Sequence, residues 1–269
     1  MIARTQVLVQ FVVGLGYYDL GQLAEAERAF RRAENLAGWE RQDGKEVLYL
    51  FLGNVAGKLE RYDAARSYYG QALRIDRQYA RGLVGLAETR FHQARGSCER
   101  GRVDAAGLNR AVADYRRAGV ARDRPALADV DAKVAFGLGR AYVCMSQAGV
   151  ADHWKDAEQQ LAAVLGAYKR GNRRVKQLAA EAWANLGVVY LPPAGVFDRT
   201  RYERAAEAYR HAIELSDDPQ RKGVLYGLLG YVHGRLGQRQ QAHDAYQQAA
   251  TMDPANRDRY AEELRRLTH

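Results

Sequence analysis

Proline is scarce, with five in 269 residues, and β-branched residues never gather into alternating runs. That combination argues against a strand-rich fold and for helix almost throughout. Cysteine is nearly absent. Cys98 and Cys144 stand at no metal-ligand spacing and are too few for a disulfide framework. Free thiols in a reducing compartment are expected, and with them a cytoplasmic location. Long apolar runs are missing too: none reaches the roughly 18 residues that span a bilayer, so no membrane span is expected. Arg4 followed by the apolar stretch Val7 to Gly16 has the look of a secretory signal. It lacks a small-x-small cleavage site, and the same residues fit a repeat described below.

Glycine, by contrast, is plentiful. There are 26, and an interior helical glycine costs roughly 1 kcal/mol relative to alanine, so a packing reason is required. The net charge of +9 is local rather than spread out. Nine arginines face four acidic residues between Arg90 and Arg124, and five basic residues with no acid lie between Lys169 and Lys176.

Self-similarity resolves the architecture. Ala205, Tyr209 and Ala212 form a small–aromatic–small triplet at helical spacing, and five more follow the pattern. They are Ala26/Phe30/Ala33, Ala65/Tyr69/Ala72, Ala111/Tyr115/Ala118, Ala157/Leu161/Val164 and Ala242/Tyr246/Ala249; the fourth has Leu and Val in place of the aromatic and the last Ala. Each is preceded by a small residue: Gly14, Gly53, Ala87, Gly139, Gly187 and Gly230. The separation from that residue to its triplet is 12 in the first, second and sixth units, 18 in the fourth and fifth, and 24 in the third. Paired helices approach closely only where small side chains meet, and the aromatic residue then fills the gap toward the next pair. One pair cannot bury its own apolar face, so neighbours must stack.

Trp183-x-x-Leu186-Gly187-x-x-Tyr190 followed by that triplet resembles the tetratricopeptide repeat (TPR), as does Asp253-Pro254 at the close of the sixth unit. The resemblance runs from Val7 to Pro254. It implies an all-α, right-handed α-solenoid of six helical hairpins forming one domain, residues 1–269. The repeats fall at about 7–40, 46–79, 80–126, 132–170, 180–219 and 223–256, with a capping helix at 257–268 that sets Tyr260, Leu264 and Leu267 on one face. Extra residues separate the two helices of repeats three to five, and the longer hairpins resemble Sel1-like repeats. In two of them Ala-Gly-Val-x-Asp recurs, ending at Asp152 and Asp198, which read as N-cap or turn residues. Such insertions emerge along one edge, as a binding edge or as surface loops without a role.

Catalytic motifs fare poorly. Gly53-Asn54-Val55-Ala56-Gly57-Lys58 is one residue short of a phosphate-binding loop and ends in Leu59 where Ser or Thr is needed. Gly137-Leu138-Gly139 follows no strand, the six histidines do not pair at ligand spacing, and His233 reads as a packed or hydrogen-bonded residue. No enzyme, cofactor or metal is expected; the expected partner is a protein or peptide.

The resemblance implies a concave groove lined by the first helices. The candidates are Leu8, Phe11, Leu15 and Tyr18 in repeat one, and Val47, Leu50, Asn54 and Lys58 in repeat two. Repeats three and four offer Arg81, Val84, Glu88, Phe91, Lys133, Phe136 and Arg140. The last two offer Glu181, Ala184, Val188, Val224, Tyr231 and Arg235. A carboxylate clamp known in one subfamily is absent, because Leu50 and Gly85 stand where Lys and Asn are required. The first helix is apolar nearly all round, which calls for self-association as a homodimer, a partner chain, or a longer array. A second candidate surface is a basic edge of Arg95, Arg100, Arg102, Arg110, Arg116, Arg117, Arg173 and Arg174. It would suit a regulatory module holding an acidic partner or nucleic acid. Bases lack stacking platforms there, since Tyr115 belongs to the core, so nucleic acid is the less favoured of the two.

Overall fold

The computed structural model describes residues 2–36, 44–99, 101–121 and 128–268, and these are helical nearly throughout, with no strand among them. Two compact units divide the chain, one comprising Met1–Gly137 with Gln147–Val150, the other Leu138–Ser146 with Ala151–His269. The first contains α1 (Ile2–Asp19), α2 (Leu23–Asn35), α3 (Lys45–Lys58), α4 (Tyr62–Ile75), α5 (Ala80–Ala94) and α6 (Ala105–Val120). Helix α7 (Ala128–Gln147) is shared: Leu138–Ser146 belong to the second unit and its remaining residues to the first. There follow α8 (Trp154–Lys169), α9 (Lys176–Tyr190), α10 (Arg199–Leu215), α11 (Pro219–Arg235), α12 (Arg239–Met252) and α13 (Arg257–Thr268).

Successive helices pack as hairpins: α1 on α2, α3 on α4 and α5 on α6 in the first unit, α9 on α10 and α11 on α12 in the second. Second helices bridge to the next hairpin, and α3 touches α5 directly, so first helices lie side by side. The fold is thus the all-α hairpin array expected from the repeat. Every residue of the six triplets is buried.

Glycine explains how the hairpins close. A Cβ on Gly53 would stand 2.6 Å from the Tyr69 ring, and one on Gly85, in the next hairpin, would press on the same ring. Tyr69 is therefore clasped between two helices that each present bare backbone. Gly137 meets Tyr115 and Gly187 meets Tyr209 in the same way, while Gly139 faces Leu161 at 2.7 Å. Even the repeat lacking an aromatic keeps the rule. The short turns use glycine differently: Gly21 and Gly237 adopt φ of +74° and +72°, the left-handed conformation that ends a helix and reverses the chain.

The lengthened hairpins use side chains instead. Asp104 and Asp198 cap α6 and α10, accepting from Gly107 N at 2.9 Å and Arg201 N at 3.0 Å. Asp152 accepts weakly from Trp154 N at 3.4 Å, so both aspartates of the recurring fragment serve turns. Arg201 reaches back to the end of α9 and donates to the carbonyls of Val189, Tyr190 and Leu191 at 3.1, 3.2 and 3.0 Å. At the C-terminal end, α13 buries Tyr260, whose hydroxyl donates to the buried Asp253 carboxylate at 2.8 Å; Leu264 and Leu267 join the same cluster.

One expectation fails. Neither cysteine is a free thiol: Cys98 and Cys144 are both disulfide-bonded. The argument for a reducing, cytoplasmic setting rested on free thiols and goes with them. No described helix is long and apolar enough to cross a membrane.

His233 is buried, with Nδ1 against the Gln238 side-chain oxygen. Burial holds its pKa below the ordinary histidine value; the Gln238 hydrogen bond opposes that shift and the charge of Arg210 adds to it. The unfolded chain therefore takes up a proton near pH ~6.5 that the folded chain resists, so stability falls as pH drops through that value. Between about pH 7.5 and 5.5, the thermal midpoint of the parent should fall more than that of His233→Gln; equal slopes would contradict this account.

The glycine rule makes a sharper contrast. Gly187→Ala should cost about 1–3 kcal/mol by overpacking the Tyr209 ring, despite alanine's better helix propensity. Gly70, also helical, has nothing within 4 Å of a Cβ, and Gly70→Ala should gain up to about 1 kcal/mol. Chemical denaturation of both variants measures this, and shifts of the same sign would refute it.

Candidate docking surfaces

The second-helix tyrosines connect core to surface. Tyr69 passes between α3 and α5, and its hydroxyl donates to Asn54 Oδ1 at 2.8 Å. Tyr115 does likewise in the next hairpin, donating to Glu88 Oε1 at 2.6 Å. In both repeats the acceptor directly follows the small first-helix landmark, Gly53 or Ala87. In the fifth repeat that position holds Val188, which has no acceptor. The Tyr209 hydroxyl is accordingly buried with no hydrogen-bond partner among the described residues.

The first-helix candidates divide by burial. Leu50, Phe91 and Phe136 are buried, as are Val84 and Ala184, so these side chains pack the array rather than line a surface. The adjacent first helix covers a face that one hairpin alone leaves open. Phe11, Leu15 and Tyr18 are half-buried against the second hairpin, with the Phe11 and Tyr18 rings 5.8 and 5.6 Å from Phe51. Asn54, Glu88, Arg140, Val188 and Val224 are half-buried, as is Val47. Lys58, Arg81, Lys133, Tyr231 and Arg235 are exposed, with the Lys58 ammonium 4.6 Å from the Tyr18 ring centroid. Glu181 is drawn into a two-pronged pair with Arg221 at 2.9 and 2.6 Å, tying α9 to α11.

Three of the eight basic-edge residues meet acids. Arg102 pairs with Glu99 at 3.2 Å, Arg110 with Asp104 at 3.5 Å, and Arg117 with Asp114 at 3.1 Å. Arg90 also pairs with the buried Asp114. Arg95 and Arg116 make interactions of their own, and Arg100 lies outside the described residues. In the second unit Arg173 donates to the Tyr168 hydroxyl at 3.1 Å, and Arg174 is exposed. Interleaved carboxylates weaken the positive field of the first-unit cluster.

Besides the single residues Leu59 and Val120, large apolar side chains reach solvent in two groups. Leu8, Val9, Val12, Val13 and Tyr17 of α1, with Leu20 just past its end, are exposed along one stripe, with Gly16 among them. In the second unit Val196 and Phe197 of the α9–α10 connection are exposed, as is Tyr231 on α11. An aromatic residue inside a Pro-Pro-Ala-Gly-Val-Phe insertion was the available sequence signal for the second patch.

The tetratricopeptide repeat family model matches residues 47–79 and 224–256, the α3–α4 and α11–α12 hairpins. No curated protein matches the chain. Among solved structures, it is similar to a chain of the APC/C hetero-tetramer Cut9–Hcn1, with a TM-score of 0.74 at 15% identity. That similarity covers 98% of this chain and 43% of the other, so this chain spans less than half of that relative's length. RapI in its apo form gives a TM-score of 0.70 at 14% identity, covering 97% and 70% of the two chains. PilF of Pseudomonas aeruginosa gives 0.63 at 16%, covering 98% and 100%. At such identities the likeness is one of fold.

The tyrosine pattern yields a test. Tyr69→Phe should cost about 0.5–1.5 kcal/mol, since Asn54 loses its donor. Tyr209→Phe removes a hydroxyl with no partner among the described residues and should be neutral or stabilising. Thermal melts compare them, and equal losses would show that Tyr209 has a partner in solution.

Proposed function

Because this chain is built on tetratricopeptide repeats, we propose that it is a scaffold that holds protein segments and performs no catalysis of its own. The observation that carries the reading is the α1 stripe. An apolar helix face of this length is normally buried, and contiguous exposed apolar surface marks an interaction site. The occupant we favour is a second copy of this chain. Beside the stripe a 220 Å³ cleft is bordered by Glu25, Arg28 and Arg32, so the rim carries both signs of charge. A two-fold partner presenting the same rim can set carboxylate against guanidinium, whereas a rim of one sign would repel its own copy. Gly16, with open space around it, lets the two helices approach closely.

The first-helix faces take partner segments in this reading, with Asn54, Lys58, Arg81, Lys133 and Arg140 offering polar contacts and half-buried Val188 and Val224 offering apolar ones. A nucleic-acid reading of the arginine edge is the less favoured one, since Arg102, Arg110 and Arg117 already face carboxylates and no aromatic residue there offers a stacking platform. Disulfide-bonded cysteines fit an oxidising compartment better than the cytoplasm.

Sedimentation equilibrium tests the assembly. The parent chain should associate reversibly to a dimer, and Val12→Asp should sediment as a monomer with an unchanged circular-dichroism spectrum. A parent that stays monomeric at high concentration would remove α1 as a self-docking face.

A further inference from the structure

The second unit exposes three large apolar side chains among its described residues, Val196, Phe197 and Tyr231, at 49, 57 and 44%. A single exposed phenylalanine would mean little. Two of these, however, converge on one buried residue. The Phe197 ring lies 5.8 Å from the ring of Tyr202. The Tyr231 hydroxyl lies close enough to Tyr202 that this neighbour, after burial, helps raise its pKa. The Arg235 guanidinium sits 5.7 Å from the Tyr202 ring centroid. Val196 precedes Phe197 directly, so a connection between α9 and α10 and the outer face of α11 contribute to one patch.

The patch is held in place before anything binds. Val196 N donates to Pro193 O at 3.0 Å across a turn in which Gly195 takes φ of +80°. Arg201 fixes the beginning of the connection through three carbonyls, and Asp198 fixes its end by capping α10. Two prolines, Pro192 and Pro193, restrict it further. Exposed apolar side chains on an ordered loop dock a partner with little ordering cost.

Charge decides what kind of partner. Arg235 is exposed, and no carboxylate pairs with it among the described residues. Its neighbour Tyr231 brings a hydroxyl. Apolar surface beside an unpaired guanidinium matches a large apolar side chain beside a carboxylate, the guanidinium gaining the charge-assisted bonds it lacks.

We propose that Val196, Phe197, Tyr231 and Arg235 form a docking site for a short peptide segment carrying a large apolar side chain followed within a few residues by a carboxylate. The apolar side chain rests on Phe197 and Val196, and the carboxylate meets Arg235. This site rests on the scaffold reading above and is separate from the α1 face. Tyr209 and its glycine-lined slot remain core and take no part.

A random-peptide display library, panned on the intact parent chain and on two surface variants, tests the proposal. The parent should enrich peptides with Leu, Phe, Met or Trp shortly before Asp or Glu. Phe197→Ser should weaken the best enriched peptide by roughly tenfold or more. Arg235→Glu should shift the enriched sequences from acidic to basic at the same place, which a merely damaged fold would not do. Unchanged thermal midpoints confirm that both variants are intact. If all three proteins enrich the same sequences, the site is overturned while the scaffold reading stands. If the parent enriches nothing, the site and peptide binding by this chain both fall.

Discussion

An aromatic ring is wider than the gap between two closely packed helices, and the chain resolves that conflict by deleting the opposing side chains. Tyr69 lies between Gly53 and Gly85; Tyr115 meets Gly137; Tyr209 meets Gly187. Each helical glycine sacrifices about 1 kcal/mol of propensity, which is tolerable because the ring then fills a space that no aliphatic side chain spans from second helix to first-helix face. Hairpin closure, contact between consecutive first helices and the path of each tyrosine hydroxyl all follow. Where the ring belongs to Phe30, with no hydroxyl to deliver, the next hairpin presents Phe51 instead, 5.7 Å between centroids. Gly85 stands two residues before Ala87, Gly137 two before Gly139, and Phe51 two before Gly53. In these three hairpins that position matches the preceding ring, whereas after Tyr209 it holds Leu228.

The same geometry sorts polar residues. A hydroxyl carried through the helix layer needs an acceptor on the far side, and the residue after the small landmark supplies it as Asn54 or Glu88. Val188 breaks the pattern, leaving a buried hydroxyl unpaired. The turns show a parallel division of labour. The short first and sixth hairpins reverse through left-handed Gly21 and Gly237, whereas the lengthened fifth hairpin also closes the end of α9 with the Arg201 side chain. A longer connection cannot rely on one residue's backbone, so it recruits a guanidinium able to reach several carbonyls.

The repeat was legible because its cause is local. Small residues at fixed distance from an aromatic triplet are readable one hairpin at a time, and every triplet residue is buried as the spacing requires. The surface was less legible because its cause is not local. Projecting one helix onto a wheel left Leu50, Phe91 and Phe136 free, but all three are buried, Leu50 in one cluster with Leu86 of the next first helix. Gly85 and Gly137 looked like departures from motifs until Tyr69 and Tyr115 of the preceding hairpins were seen against them. The cysteines failed for the same reason: spacing along the chain says nothing of the distance closed by folding. Phe197 escaped notice because insertions carry no periodicity against which an aromatic residue stands out.

Two exposed apolar surfaces remain, and they carry different weight. A stripe along α1 is what hairpin chemistry itself produces, since each hairpin offers one flank that only another helix can cover. Such a face demands a neighbour without saying which, and the mixed charges of its rim are what narrow the choice toward a second copy. Val196 and Phe197 belong to no hairpin flank. Nothing in the repeat requires an apolar side chain in that connection, and the array would close as well with serine there. Their display is nonetheless secured by a turn, a cap and a three-pronged arginine. The cap and the arginine serve the hairpin, but the apolar side chains they hold out do not. That is the stronger sign of recognition, because restraint on an exposed side chain costs conformational entropy and returns nothing until a partner arrives.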